Sequence, residues 1–157
     1  MGSVGLTLLV SLMVVLPASF SKFLAQDNEP LLKREASKTI ASIIVPVSPI
    51  KAWEVLSEYE KTGPKMPDIQ SAKVISRQGD LIKLRQTYKA PYTFGLEIDA
   101  ILEIKETPNS KIVYRLLQGD FISKLQGSWV IQKVPSGTLI KHQILIEPEL
   151  PDVLKPV

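Results

Sequence analysis

The feature that most constrains this chain is a period-two alternation of apolar and polar residues that runs, with short breaks, from residue 69 to residue 147. It is plainest between Tyr92 and Glu106. There Phe94, Leu96, Ile98, Ala100, Leu102 and Ile104 fall on one side of an extended strand, and Glu97, Asp99, Glu103 and Lys105 on the other. The same alternation puts Ile82, Leu84, Gln86 and Tyr88 on one face, then Ile112, Tyr114 and Leu116. It returns with Leu125, Gly127, Trp129 and Ile131, and again with Ile140, His142, Ile144 and Ile146. A shorter strand fits Ile69 to Gln78, and an earlier one, apolar on both faces near its end, fits Glu35 to Val47. Breaks and turn residues separate them: Gly79-Asp80, Ala90-Pro91, Pro108-Asn109-Ser110, Gly119-Asp120 and Pro135-Ser136-Gly137. Strands joined by such short connections pair antiparallel, so the pattern predicts a meander with one apolar face. That face has to be covered by something.

Only one segment beyond the N-terminus has a helical pattern. Ser48 is a good N-cap, and Pro49 suits the first helical position, where its missing N–H costs nothing. Ala52, Val55, Leu56 and Tyr59 then make one apolar stripe with Trp53 at its edge, while Glu54 and Glu58 face away. Gly63-Pro64 stops the helix, and Met66-Pro67 keeps the chain extended. This helix is too short to cover the whole sheet. Asp152 to Val157 has the look of the first turn of a second helix.

Composition excludes more than it selects. A chain of 157 residues fits one domain, and 45% hydrophobic with 22% charged residues is ordinary for a folded one. There is no cysteine and one histidine, which removes disulfides, thiol nucleophiles and thiolate metal sites. The net charge of +3 comes from lysines spread along the chain, the pattern of a solvated surface rather than a nucleic-acid site. A weak attraction to anionic lipid, and so a peripheral membrane contact, is compatible with it. Val4 to Leu16 is an uncharged apolar run, shorter than the roughly 20 residues of a spanning helix. Small residues follow it, as in a secretory signal cut near Lys22 or Gln26; an uncleaved anchor is the alternative. Residues 1–25 are therefore read as signal peptide or anchor, 26–35 as a polar linker, and 36–157 as the domain, working outside the cytoplasm (periplasmic or extracellular).

Three groups of residues carry a resemblance to a known family. They are Pro46-x-x-Pro49-x-x-Ala52-Trp53-x-Val55-Leu56-x-x-Tyr59-Glu60, then Met66-Pro67-x-Ile69, and then Gly127-x-Trp129 with Gly137-Thr138-Leu139 and Glu147-Pro148. In order and spacing they resemble the START-like (SRPBCC) helix-grip superfamily, specifically its polyketide cyclase/dehydrase and coenzyme Q-binding branch, over residues 36–157. The resemblance implies an α+β fold in which a curved antiparallel sheet grips a C-terminal helix around an apolar cavity. It implies a hydrophobic ligand of the lipid, quinone or polyketide class. Two departures stand out: the long C-terminal helix is absent or barely begun, and His142 occupies a position on the last strand where the family commonly has an aromatic residue.

No catalytic motif is present: no phosphate loop, no nucleophile elbow, no dense carboxylate cluster, and no cofactor or metal is expected. The residues that would line a cavity are Tyr88, Leu96, Ile98, Tyr114, Trp129 and His142, all on the apolar faces; ordinary sheet core is the plainer reading of each. Three functions remain open. The first is a binding module for a hydrophobic small molecule or lipid. The second is a cyclase or dehydratase using His142 with a cavity tyrosine, which requires the two within hydrogen-bond reach. The third is an interaction domain whose open sheet face is covered by a partner protein or a second copy.

Overall fold

The computed structural model describes residues 31–35, 38–65, 69–89 and 97–149. Among these described residues, eight antiparallel strands form one sheet: β1 (Leu31–Glu35), β2 (Lys38–Val45), β3 (Ile69–Gln78), β4 (Leu81–Tyr88), β5 (Ile98–Thr107), β6 (Lys111–Gly119), β7 (Ile122–Val134) and β8 (Gly137–Pro148). Their order is β1-β2-β8-β7-β6-β5-β4-β3, so β3 to β8 are the expected meander and β2 closes back onto β8. Between β2 and β3 lie α1 (Pro49–Ser57), α2 (Tyr59–Thr62) and a 3-10 turn at Gly63–Lys65. The alternation predicts the meander, and the arrangement as a whole is the α+β helix-grip fold that the resemblance implies.

The inner face is the predicted one. Ile82, Leu84, Ile104, Ile112, Ile131, Ile140, Val45, Ala52 and Leu56 join in one buried cluster drawn from six strands and α1. Laid flat, six strands would spread over roughly 24 Å, about twice the width of a helix. They meet one helical stripe because the sheet curves around it. Register shifts within the β3–β4, β5–β6 and β7–β8 pairs mark irregular positions, where a sheet bends.

The helix entry follows its sequence signals. The Ser48 hydroxyl accepts from the Lys51 N–H at 3.2 Å, with Pro49 in the first turn. Thr138, fully buried, donates its hydroxyl to the Val47 carbonyl at 2.6 Å and ties the start of β8 to the chain entering α1. Beside it Gly137 has φ of 142°, and a Cβ there would strike the Val45 carbonyl, so this turn needs glycine.

Two local expectations differ. Leu31–Glu35, polar enough to read as linker, pairs with β2 as a strand. The helix breaks at Glu58 (ψ 65°) instead of running through Tyr59, because α1 lies on β7 and β8 while α2 lies on β3. The strand read from Tyr92 is seen from Ile98 on; residues 90–96, including Leu96, lie outside the described part, as do residues 1–30 and the C-terminal turn at 152–157.

Candidate ligand site

Two apolar clusters share the inner face. One is the aliphatic cluster under α1. The other is smaller, built on Ala100, Leu102, Leu125 and Ile144, with Tyr88, Tyr114, Leu116, Ile122 and Ile146 packed against it. Tyr114 touches both. Between them sits a polar and aromatic group made by neighbouring strands β6, β7 and β8.

Strand register builds this group. Trp129 on β7 stands directly opposite His142 on β8, and the two rings stack with centroids 3.9 Å apart and planes 13° from parallel. Tyr114 on β6 stands opposite Gly127 on β7. A Cβ at 127 would run into the Tyr114 hydroxyl and the Gln143 carbonyl. The missing side chain lets the tyrosine ring lie across β7 and reach His142, where its hydroxyl meets Nε2 at 2.7 Å. Gly127-x-Trp129 is thus a spatial device: the glycine opens a passage and the tryptophan floors the imidazole.

Burial sets the protonation of the pair. It lowers the His142 pKa from 6.5 to about 3, so the imidazole is neutral at physiological pH. It pushes the Tyr114 hydroxyl well above its ordinary value, helped by the nearby Tyr88. Two neutral groups therefore share one proton-bearing contact. A neutral imidazole has one donor and one acceptor, and a phenol has both, so their mutual bond uses one of each and leaves one of each for a ligand. Tyr88 extends the polar surface: it bonds through its hydroxyl to Gln86 Oε1 on the same inner face. Ile98 is buried directly opposite Tyr88. The structure thus groups Tyr114, Trp129 and His142 tightly, with Tyr88 and Ile98 at the flank.

One buried charge escaped the sequence reading. Glu106 continues the inward phase of Ile98, Ala100, Leu102 and Ile104, a signal that was available in the alternation. It accepts from the Tyr59 hydroxyl at 2.8 Å and from Arg77 at 3.0 Å, joining α2, β5 and β3. Both carboxylate oxygens are engaged, so it clasps the helix to the sheet. Burial, then the Glu106 bond, raises the Tyr59 pKa and keeps that phenol protonated. Glu103 and Asp99 lie outward as expected, Glu103 paired with Arg115 at 2.7 Å and Asp99 accepting from Thr87. Among the described residues no three His, Cys, Asp or Glu side chains are placed to hold a metal ion, and no helix is long and apolar enough to cross a membrane.

Comparison with known proteins agrees with this architecture. Residues 45–156 match the family described as polyketide cyclase / dehydrase and lipid transport. The chain belongs to that family, within the START-like superfamily. Among solved structures it is similar to a protein of Thermus thermophilus, with TM-score 0.65 and 18% identity over 73% of this chain and 77% of the other. It is similar to a START superfamily protein of Mycobacterium smegmatis, with TM-score 0.62 and 22% identity over 76% and 81%. An aromatase/cyclase of a Streptomyces species aligns with TM-score 0.60 and 15% identity over 74% and 72%. At such identities the likeness carries the fold alone. No curated protein matches the sequence.

Proposed function

We propose that this chain is a binding module that holds a hydrophobic small molecule or lipid, of the quinone, polyketide or lipid class, against the inner face of its sheet. The observation that carries this reading is the Tyr114–His142–Trp129 group: a neutral, hydrogen-bonding aromatic surface set into an apolar wall. Such a surface suits a ligand that is mostly apolar with one or two carbonyl or hydroxyl groups. Family membership supports the reading, since the family's description names both cyclases and lipid transport.

A second reading, a cyclase or dehydratase, is favoured by one observation: the tyrosine and histidine are within hydrogen-bond reach. The electrostatics weigh against it. A general base works best with a pKa near the operating pH, and His142 is shifted far below it. Native mass spectrometry with lipid extraction would identify the ligand. Titration and turnover with that ligand, for wild type and His142→Phe, then separate the readings. A binding module keeps its affinity within about 1–3 kcal/mol. A turnover loss of roughly 10²–10⁴ with binding intact would establish the enzyme instead. We also propose export, from the apolar run at Val4 to Leu16. Cleavage near Lys22 or Gln26 would leave β1, which starts at Leu31, whole; an intact Met1 on protein retained in the cytoplasm would refute export.

A further inference from the structure

The outer face of the sheet is not evenly charged. Cross-strand register places Lys73, Lys83, Arg85, Lys105, Lys111 and Arg115 on the outer side of β3 to β6, all exposed. Against these six stand the outward carboxylates Asp99 and Glu103 of β5, with Glu97 exposed in the same phase just before the strand begins. Glu103 is taken up by Arg115, and Asp99 by the Thr87 hydroxyl. Among the described residues, Lys73, Lys83, Arg85, Lys105 and Lys111 have no acidic partner. Residues 69–119 hold eight basic and five acidic side chains, a net +3 that equals the charge of the whole chain, so the remainder is balanced.

Apolar side chains are exposed on the same strands. Leu81, Val113, Leu117 and Ile75 are between 41% and 48% exposed, and among the described residues they are four of six exposed large hydrophobic side chains. Leu81 and Val113 flank Lys105 in one cross-strand row. Ile75 and Leu117 sit at the irregular positions of β3 and β6. Scattered single apolar residues need no explanation, but here they are interleaved with unpaired cations on one face.

We propose that the outer face of β3–β6 docks on an anionic lipid bilayer. Lysine and arginine near an anionic leaflet each gain attraction from its negative surface potential. Long basic side chains can lay their methylene stems along the membrane while the aliphatic residues between them enter the headgroup boundary. A nucleic-acid surface fits less well: single-strand binders stack bases on aromatic rings, and no tyrosine, tryptophan or phenylalanine stands in these cross-strand rows. The inference is independent of the ligand reading, because it uses the opposite side of the sheet. It places the domain with its inner face away from the membrane plane.

The test is vesicle co-sedimentation of the full chain, so that the N-terminal apolar run is the same in every sample. Vesicles of phosphatidylcholine alone are compared with vesicles containing about one third phosphatidylglycerol, at roughly 0.1 M salt. The wild type should prefer the anionic vesicles, and the preference should fall as salt rises. Lys73→Gln/Lys83→Gln/Arg85→Gln should reduce that preference about ten-fold or more. A control of equal charge change outside the patch, Lys51→Gln/Lys65→Gln/Lys133→Gln, should keep most of it. Val113→Ser/Leu117→Ser should weaken binding to anionic vesicles several-fold at unchanged charge. The melting temperature of each variant is recorded, and exposed outer positions should leave it in place. Equal binding to both vesicle types overturns the proposal. So does an equal loss in the two triple variants, which would mean that net charge alone acts. Displacement from the vesicles by a single-stranded oligonucleotide at matched phosphate concentration would overturn it in favour of nucleic acid.

Discussion

The two ends of the inner face are built on different principles. Under α1 the wall is aliphatic and the helix seals it with Ala52 and Leu56, so burial there is converted directly into stability, at about 25 cal/mol for each Å² of apolar surface removed from water. Around Tyr114 and His142 the wall holds polar atoms inside an apolar setting. Each would cost about 1–3 kcal/mol if left unpaired, and their mutual bond mainly cancels that cost instead of adding stability. The difference teaches where to look for each property. The helix-covered end holds the fold together, and the aromatic end is the part whose chemistry exceeds what folding requires.

The largest expected effect tests how the aromatic end is assembled. Gly127→Ala puts a methyl group where the Tyr114 hydroxyl and the Gln143 backbone carbonyl already are. The carbonyl belongs to the central β7–β8 pairing and cannot move aside, so the substitution should destabilise by at least about 4 kcal/mol, a value reserved for severe core conflicts. Denaturant titration of the variant checks it. A loss under about 1 kcal/mol would mean that Tyr114 does not cross β7, and the site as described would fall.

At the other end, Leu56→Ala opens a cavity beneath α1 and should cost roughly 2–5 kcal/mol. Affinity for any identified ligand, measured well below the unfolding transition, should stay near wild type. If affinity collapses with the stability, the two ends are one cooperative unit and the division drawn between them is wrong.

His142 should give the smaller effect of pH. Its folded pKa of about 3 lies below the ordinary 6.5, so the folded state binds fewer protons than the unfolded chain. Its contribution is therefore fully present above about pH 6.5 and is lost as pH falls toward 3. By pH 5 the loss relative to neutral pH should reach about 2 kcal/mol. His142→Phe should remove that part of the slope while keeping a ring to stack on Trp129. Unfolding free energies of both proteins between pH 7 and pH 5 decide it, in a range above most carboxylate titration. Parallel slopes would show that His142 is not buried neutral.

Much of this division was legible in the sequence, and the gaps have physical causes. Period-two alternation placed Tyr88, Ile98, Tyr114, Trp129 and His142 on the inner face, because a strand gives a side chain only two directions. The contact between Tyr114 and His142 was not legible. It depends on register across β6, β7 and β8, and the β6–β7 connection is irregular, with Phe121 in the left-handed region at φ of 56°. The opposition of Trp129 and His142 was closer to hand, since the short Pro135-Ser136 turn sets Val134 against Gly137 and counts back to that pair. The break at Glu58 answers a tertiary demand, to carry the chain from β8 across to β3, that local propensity does not contain.

The smallest expected effect probes the clasp that borders the helix-covered end. Glu106 is buried with two partners on different elements, Tyr59 from α2 and Arg77 from β3. Tyr59→Phe removes one hydrogen bond to a charged acceptor but leaves Arg77 in place, so the carboxylate remains paired. The cost should be about 1–2 kcal/mol, within the range for a hydrogen bond to a charged group. Glu106→Gln should cost more, because it takes the counter-charge from Arg77, although Arg77 is half exposed and water offsets part of the loss. The decisive measurement is the coupling between the two substitutions. If Tyr59 and Glu106 act through their bond, the double variant should be less destabilised than the sum of the singles by about 1 kcal/mol. Ligand affinity should not change in any of the three, since neither residue belongs to the aromatic end. A change in affinity with additive stabilities would place Glu106 in the ligand site after all, and the boundary between the two ends would have to move past β5.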